Sequence, residues 1–259
     1  MAERAAAQRC GCIDRGAAMN CSDRSTILAR MDEAGDRGVA DELVLALLCR
    51  VFGCRAELGA HIRARGRIKD YRPRAYIARS GDSISVLFAI IAGIAHALAY
   101  SSEGQPVLLH EYREGDVFGA IGSTLHPRHE ADIIAATEVS SFLLDGRELA
   151  LLAERHGSIG IALLKLMVDR LQRTEARMYE HAALSSVGRV YAELLRQASD
   201  APDLTIRPAP VLTELALRVS TTRETVSRAV GALERRGIIQ RSHDALTLVA
   251  PQRLEELIV

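Results

Sequence analysis

The chain has 259 residues, and its 33 basic and 33 acidic side chains give a formal net charge of zero. This balance excludes overall basicity as a reason for binding nucleic acid, so such a role would need a local basic patch. The longest apolar run, at 86–100, is shorter than the ~20 residues of a membrane-spanning helix. We therefore expect a cytoplasmic protein without membrane contact.

The first segment, residues 1–38, is rich in Ala, Arg and Gly and has no sustained period, which predicts an extension outside the folded domains. All five cysteines lie in the first quarter of the chain: Cys10, Cys12, Cys21, Cys49 and Cys54. Their odd number and the lack of an apolar leader argue against a disulfide framework. The simplest interpretation is that the first three are incidental thiols and that the last two are small core residues.

The second segment, residues 39–156, is predicted to fold mainly as β-strands. It begins with a strongly apolar stretch at 39–52, which predicts a helix, and an arginine-rich stretch at 55–74, which predicts a solvated face. Glycines then recur at a nearly even step: Gly81, Gly93, Gly104 and Gly115. The apolar runs between them are predicted strands: 85–91, 94–100 and 106–112. Short strands separated by evenly spaced turns are typical of a β-sandwich or barrel.

The third segment, residues 157–183, is predicted to be one long helix. Five of its side chains alternate at steps of three and four: Leu164, Met167, Leu171, Thr174 and Met178. This is the spacing of a coiled-coil seam. A seam that includes a threonine suits an interface between two chains better than the core of one chain, so it predicts a homodimer. The alternative is that the stripe packs against the preceding domain of its own chain.

The last segment, residues 184–259, contains two short amphipathic helices. The first has one apolar stripe: Leu212, Leu215, Ala216 and Val219. The second has another: Val226, Val230 and Leu233. The three small polar residues at 220–222 favour a turn between the helices, and apolar runs flanking 242–244 predict a hairpin. Together they indicate a winged helix-turn-helix.

The outer face of the second helix carries four polar side chains opposite the valines: Arg223, Glu224, Ser227 and Arg228. Arginine can bind guanine through two hydrogen bonds, glutamate can accept one from cytosine, and Ser227, Thr221 and Thr222 can reach phosphates. Between 211 and 241 six arginines stand against three glutamates, which supplies a local basic patch. The alternative is that Thr221 and Glu224 only form a capping box and that the arginines are solvated.

The string RETVSR at 223–228 resembles the recognition helix of the cyclic-AMP receptor / fumarate-nitrate regulator (CRP/FNR) family of bacterial transcription factors. The strings GDSISVLFAIIAG at 81–93 and EGDVFGAIG at 114–122 resemble the sensor domain of the same family. The resemblance implies an α+β protein with an N-terminal extension, a cyclic-nucleotide-binding-like β jelly-roll sensor domain, a long dimerisation helix and a C-terminal winged helix-turn-helix.

The resemblance also implies what the protein does. Such a homodimer binds palindromic double-stranded DNA with TGTGA-like half-sites, acts with RNA polymerase and is not an enzyme. Arg223, Glu224 and Arg228 would read the bases. Ser220 replaces the glycine usual in the turn, which leaves the turn geometry open. The rival hypothesis is a ligand-binding signalling module whose winged helix contacts a protein instead of DNA.

Cyclic AMP is not the effector that we expect. Family members that bind cyclic AMP carry a Gly-Glu-Leu turn, followed by an Arg-Ser or Arg-Thr pair that contacts the phosphate of the nucleotide. This chain has Gly119-Ala120-Ile121 at the turn and Glu130-Ala131 at the pair, where a carboxylate would repel a phosphate. A pocket for another small ligand is expected around five residues: Gly119, Ala120, Arg128, Glu130 and Thr174.

The oxygen-sensing branch of the family holds an iron–sulfur cluster on three N-terminal cysteines and one cysteine of the sensor domain. By resemblance, the three N-terminal cysteines of this chain are candidate cluster ligands. Their spacing differs from that branch, and the fourth position falls on Ser141, so that Cys49 or Cys54 would have to substitute. The expected signal is therefore either redox or oxygen acting through the cysteines, or a small ligand.

Overall fold

The structure, a computed structural model, describes residues 37–120 and 131–258. The chain divides into two compact units, Met1–Val44 and Leu45–Val259. Eight helices are found in the described ranges: α1 Arg37–Phe52, α2 Ala56–Arg65, α3 Gly146–Arg155, α4 Gly157–Ala183, α5 Ser186–Ser199, α6 Leu212–Arg218, α7 Arg223–Arg235 and α8 Pro251–Glu255. No helix within these ranges has the length and apolar character needed to cross a membrane.

Eleven strands are found in the same ranges: β1 Arg67–Tyr71, β2 Tyr76–Ala78, β3 Val86–Ala92, β4 Ala95–Tyr100, β5 Pro106–Tyr112, β6 Val117–Gly119, β7 Asp132–Ala135, β8 Val139–Asp145, β9 Thr205–Ile206, β10 Ile239–Arg241 and β11 Leu246–Leu248. They form three antiparallel sheets, with strand orders β1-β8-β3-β6, β2-β7-β4-β5 and β10-β11-β9.

The first two sheets enclose one apolar core, to which all eight of their strands contribute. Phe88 on β3 stacks on Phe118 on β6 with ring centroids 4.8 Å apart, and Tyr112 on β5 tilts against Phe118 at 4.6 Å. Burial of inward-facing side chains between two sheets is what holds a β-sandwich together. Strands β3, β4 and β5 fall within one residue of the predicted limits, and the predicted jelly-roll fold is confirmed.

The turn between β3 and β4 explains why glycines separate the strands. Gly93 has a φ of +87°, a left-handed conformation that is strained for other residues, and a Cβ there would clash with the carbonyl oxygen of Glu138. The other three evenly spaced glycines also have positive φ. The glycine spacing therefore reports backbone geometry that only glycine adopts without strain.

The arginine-rich stretch at 55–74 is largely exposed, as predicted, but its second half is a strand that the sequence did not indicate. Its first half is helix α2, but Arg67–Tyr71 is strand β1, which pairs with β8 at the edge of the first sheet. An edge strand can carry charged side chains because much of it faces solvent. Only Tyr71 of β1 is buried, and this hides the alternation by which a strand is recognised in the sequence.

The helices α5 to α8 and the third sheet share a second apolar core. Leu194 of α5, Leu215 of α6 and both Val226 and Val230 of α7 are buried in it, together with Leu246 of β11. The hairpin of β10 and β11 forms the predicted wing, and α4 precedes this domain as one helix of 27 residues. The long helix and the winged helix-turn-helix are confirmed. The predicted extension lies mainly outside the described residues, and the predicted domain limits stay predictions.

Candidate nucleic-acid interface

The predicted helix-turn-helix consists of α6, α7 and the turn at 219–222. Ser220 has a φ of +49°, which is uncommon for a residue other than glycine. Two backbone hydrogen bonds support the turn. The amide of Thr221 donates to the carbonyl of Ala216 at 3.0 Å, and the amide of Ser220 donates to the carbonyl of Leu217 at 3.3 Å. The serine thus adopts a glycine-like backbone conformation.

Thr222 caps the N-terminus of α7. Its hydroxyl oxygen accepts a hydrogen bond from the amide of Thr225 at 3.2 Å, satisfying one of the free donors of the first turn. The helix begins at Arg223, so its N-cap is Thr222 and not Thr221. The alternative of a capping box between Thr221 and Glu224 is therefore wrong. Glu224 is fully exposed, and hydrogen bonds from its own amide and from the Thr222 hydroxyl lower its pKa.

The outer face of α7 carries the four predicted side chains together. Arg223, Glu224, Ser227 and Arg228 are all exposed, whereas the valines on the opposite face are buried in the winged domain. A helix held by one face thus presents two cations, a carboxylate and a hydroxyl at its N-terminal half. Their contacts with DNA stay a prediction.

One arginine that was assigned to the basic patch lies elsewhere. The guanidinium of Arg218, at the end of α6, pairs with the carboxylate of Glu111 on β5 at 2.7 Å, and its side chain is only 21% exposed. Arg241 of the wing lies 3.9 Å from Glu234 of α7. The basic surface of the winged domain is therefore smaller than the sequence count indicates.

The predicted dimer seam lies on α4, where most of it is exposed. Leu164, Leu171 and Met178 are 62%, 58% and 66% exposed, Thr174 is exposed and Met167 is half-buried. The alternative that this stripe packs against its own chain is therefore wrong for the two leucines and Met178. Their role in a dimer stays a prediction.

Two members of the exposed stripe were missed. Ile161 and Val168 of α4 are also large apolar residues facing solvent. They follow the same alternating spacing with Leu164 and Leu171, in a register shifted from the one that includes Met167 and Thr174. The period was visible in the sequence, but it did not distinguish between the two registers.

Three of the five residues of the predicted effector pocket lie in the described ranges, and the pocket stays a prediction. Gly119 is the last residue of strand β6, and the amide of the next residue, Ala120, donates to the carbonyl of Val86 at 2.9 Å. Thr174 is exposed on α4, and its hydroxyl donates to the carbonyl of Arg170 at 2.9 Å. The other two predicted residues, Arg128 and Glu130, lie outside the described residues.

The predicted metal ligands Cys10, Cys12 and Cys21 also lie outside the described residues. Cys49 and Cys54 are half-buried neighbours at the end of α1, where burial first and the Cys49 thiol second raise the pKa of Cys54 to about 11. No group of three or more His, Cys, Asp or Glu in the described ranges could hold a metal ion.

Ser141, at the position where the oxygen-sensing branch carries its fourth cysteine, has a structural role here. Its side chain is fully buried in β8, and its hydroxyl donates to the carbonyl of Ala89 on β3 at 3.1 Å. A hydrogen bond of this kind satisfies a buried polar group in the sandwich core. The burial of the Ser141 side chain is therefore explained by this hydrogen bond between β8 and β3.

A β-sandwich of this type joined by a long helix to a winged helix-turn-helix defines a DNA-binding transcription regulator with a sensor domain. The cyclic nucleotide-binding domain family matches residues 68–156, and the Crp-like helix-turn-helix domain family matches residues 188–257. The chain belongs to the CRP/FNR family, as the resemblance implies, and members of this family are transcription regulators and not enzymes.

Individual relatives agree with this assignment. The chain is 25% identical over 178 residues to the cAMP-activated global transcriptional regulator Vfr of Pseudomonas aeruginosa, covering 65% of this chain and 83% of Vfr. It resembles the structure of a CooA mutant from Carboxydothermus hydrogenoformans, with a TM-score of 0.67, 20% identity and coverage of 77% and 90% of the two chains. It also resembles FixK2 of Bradyrhizobium japonicum, with a TM-score of 0.64, 21% identity and coverage of 74% and 96%. At these identities, the structural matches show a shared fold.

Proposed function

We propose that this regulator works as a homodimer on palindromic double-stranded DNA, each subunit placing α7 in the major groove of one half-site. The observation that carries the proposal is the exposed face of α7 with its four polar side chains, Arg223, Glu224, Ser227 and Arg228. In helix-turn-helix proteins the N-terminal half of the second helix reaches the base edges. The polar groups lie on that half.

Each of these side chains suits one kind of DNA contact. Arg223 and Arg228 can each donate two hydrogen bonds to O6 and N7 of a guanine. The lowered pKa of Glu224 keeps its carboxylate ionised, so that it can only accept, as the amino group of cytosine requires. Because Thr222 already caps α7, Thr221 and Ser227 are left for phosphates. This set fits a TGTGA-like half-site and its complement.

Dimerisation through α4 would provide the two-fold symmetry that a palindrome requires. The exposed stripe consists of five large apolar residues: Ile161, Leu164, Val168, Leu171 and Met178. Single exposed apolar residues are normal, but a continuous stripe along one helix is typical of an interface. Two such stripes packed together would remove both from water.

The sandwich domain is proposed to receive a signal, and the bound dimer to act on RNA polymerase. Vfr is described as cAMP-activated, but cyclic AMP is not the ligand that we propose, since Glu130 and Ala131 stand where the family's phosphate-binding pair would be. The candidate pocket, with Gly119, Ala120, Arg128, Glu130 and Thr174, would take a different small ligand.

The other candidate signal is redox chemistry at an iron–sulfur cluster on Cys10, Cys12 and Cys21. The described residues do not form a metal site by themselves, so this proposal rests on the sequence of the extension. A fourth thiolate would have to come from Cys49 or Cys54, and the raised pKa of Cys54 disfavours its thiolate. Anaerobic purification with iron analysis tests the idea: iron that disappears when residues 1–30 are removed supports it, and retained stoichiometric iron contradicts it.

DNA binding is tested by fluorescence anisotropy with a duplex that carries two TGTGA-like half-sites and with a scrambled duplex of the same composition. We expect tighter binding to the palindrome, weakening steeply as salt rises from about 50 to 200 mM because phosphate contacts release counterions. Equal affinity for both duplexes would show that the protein contacts phosphates without reading the bases. No salt-sensitive binding to either duplex would favour a protein partner for the winged helix.

A further inference from the structure

A cavity of about 160 Å³ lies between β5 of the sandwich, α4, and helices α5 and α6 of the winged domain. Five arginines line it, and three of them bind backbone carbonyls or a carboxylate across the elements that meet there: Arg177, Arg189 and Arg218. Arg177 belongs to α4, Arg189 to α5 and Arg218 to α6. Neither the resemblance nor the periodicity of the sequence assigned the first two a role. Their hydrogen bonds connect the two domains of the regulator.

Arg177 joins the sandwich to the end of α6. Its guanidinium donates to the carbonyls of Leu108 at 2.9 Å and Leu109 at 3.1 Å on β5, and also to the carbonyl of Arg218 at 3.3 Å. One side chain of the long helix thus bonds the backbone of a sensor strand and the last residue of the first helix of the helix-turn-helix.

Arg189 holds the turn that follows. Its guanidinium donates to the carbonyls of Val219 at 2.9 Å, Leu184 at 3.1 Å and Ser220 at 3.3 Å. The last carbonyls of a helix lack partners within it, and a cation at this end is favourable to the helix dipole. Arg177 and Arg189 therefore donate hydrogen bonds to three consecutive carbonyls, at 218–220. One of these is the carbonyl of Ser220, the residue with positive φ.

The side chain of Arg218 completes the connection back to the sandwich. It pairs with Glu111 of β5 at 2.7 Å, and the carboxylate of Glu111 also lies 3.2 Å from His96. The side chain of Glu111 is 12% exposed, so this ion pair is largely shielded from solvent. Burial by itself raises the pKa of Glu111, but the hydrogen bond with His96 and the charges of Arg218 and Arg113 lower it to about 2.

We propose that Arg177, Arg189 and Arg218, with Glu111, are positioning residues that fix the orientation of the helix-turn-helix relative to the sensor domain and so transmit the signal to α7. We call these four residues the interlock. That the interlock serves to transmit a signal to α7 rests on the proposed role of α7 in DNA binding. The contacts between the two domains do not depend on DNA.

The geometry distinguishes the interlock from an ordinary surface ion pair. Glu111 and Arg218 are separated by more than a hundred positions in the chain and belong to different domains. By contrast, Asp203 and Arg207 pair at 2.7 Å four residues apart, with both side chains more than half exposed. An exposed local pair contributes little to stability, whereas removing one partner of a shielded pair leaves an uncompensated charge.

The test is hydrogen–deuterium exchange of the full chain, followed in peptides that cover 106–112 and 212–222. In Glu111→Gln we expect exchange to become about tenfold faster in both peptides, because β5 loses its ion pair with Arg218, whose other carboxylate neighbour, Glu193, is more distant at 3.8 Å. Asp203→Asn is the matched control and should change neither peptide by more than about twofold. Exchange that is unaltered at 212–222 in Glu111→Gln would overturn the interlock.

Two further variants separate positioning from general loss of stability. Arg218→Gln should reproduce the effect of Glu111→Gln, and the double variant should exchange no faster than the more affected single one. Arg189→Gln should accelerate exchange at 212–222 only, since the hydrogen bonds of its guanidinium go to carbonyls at 184, 219 and 220. Additive effects in the double variant, or equal acceleration throughout the chain, would contradict the proposal.

The last readout is the coupling itself. Saturating duplex should slow exchange at 106–112 in the wild-type protein, and this protection should be absent in Glu111→Gln while α7 is still protected. Protection of 106–112 that survives in the variant would show that the signal takes another route. If the duplex does not bind at all, DNA recognition fails, but the measurements without DNA still decide whether the interlock exists.

Discussion

The exposed faces of α4 and α7 differ in chemistry although both belong to helices of one chain. The face of α4 is an apolar stripe that runs from Ile161 to Met178, whereas the face of α7 has two arginines, a glutamate and a serine. Apolar surface gains free energy by leaving water, which requires another apolar surface. Exposed charges and hydroxyls gain most from a charged, hydrogen-bonding partner such as DNA. The composition of each face therefore indicates the class of its partner.

The largest expected effect comes from placing a charge on the apolar face. Leu171→Arg should weaken the dimer by ~3–5 kcal/mol, which is at least about 100-fold, because two unpaired cations would be buried where two leucines packed. Light scattering at micromolar concentration should then report a monomer.

The control for this variant is Leu151→Arg. Leu151 is a leucine of α3 that is 44% exposed and lies outside the stripe, so its replacement should leave the dimer intact. A dimer that persists in Leu171→Arg would remove α4 from the interface. Loss of the dimer in both variants would indicate that added charge acts without regard to position.

The next effect comes from removing a charge from α7. Arg223→Ala or Arg228→Ala should each cost ~1–3 kcal/mol on the palindromic duplex, about 5- to 150-fold in affinity, and should reduce discrimination against the scrambled duplex. A side chain that contacts only phosphate would instead weaken binding to both duplexes by the same factor. Anisotropy titrations with the two duplexes separate these results.

Arg147→Ala provides the charge-matched control. Arg147 is exposed on α3 of the sandwich, and removing it changes the net charge by the same amount as removing a charge from α7. We expect its affinity for either duplex to stay within about twofold. An equal loss in Arg147→Ala would mean that net charge, and not the face of α7, determines the affinity.

The elements behind both faces could be predicted from the sequence because they repeat. The spacing of Leu164, Leu171 and Met178 predicts the long helix, and the evenly spaced glycines predict the strands of the sandwich. Each signal depends on a local period that burial imposes on the chain. Where solvent replaces burial, as at the edge strand β1, the period is weak, and the strand was missed although its exposure was predicted.

The interlock could not be predicted in this way. Arg177 and Arg189 look like solvated residues of amphipathic helices, and Arg218 was counted with the DNA-facing arginines. Their partners are backbone carbonyls and a carboxylate distant in the chain, and such contacts leave no period in the sequence.

The capping residue of α7 could not be predicted for a simpler reason. The neighbouring threonines at 221 and 222 can both cap a helix, and only the position at which the helix begins decides which one does.

Acidification should weaken the junction between the domains that carry the two faces. His110 lies in the same cavity as the interlock, and burial first, then Arg170, Arg173 and Arg177, lower its pKa to about 4. As the pH falls from about 6.5 to 4, the unfolded chain takes up this proton before the folded one, so stability decreases. The loss should be on the order of 1–2 kcal/mol after allowance for solvent screening.

Denaturant titrations at several pH values test this prediction. In His110→Gln the loss of stability between pH 6.5 and about 4.5 should be smaller than in the wild-type protein. The further loss below about pH 4.5 should persist, because Glu111 has an ordinary pKa near 4.5 in the unfolded chain and a pKa of about 2 in the folded protein. The unfolded chain therefore takes up this proton first, and the stabilising contribution of the ionised Glu111 is lost as the pH falls towards 2. An unchanged pH profile in His110→Gln would assign the acid sensitivity to other groups.

The smallest effect concerns how the charged face of α7 is held. Thr222→Ala removes the cap of α7 and should lower the stability of the winged domain by ~1 kcal/mol, because the amide of Thr225 loses its acceptor. Thr221→Ala, one residue earlier, should change stability by less than about 0.5 kcal/mol, since its hydroxyl is not the cap. Thermal melts of the two variants compare them directly. If Thr221→Ala were the more destabilising variant, α7 would begin one residue earlier. Its arginines and Glu224 would then occupy different positions relative to the base edges.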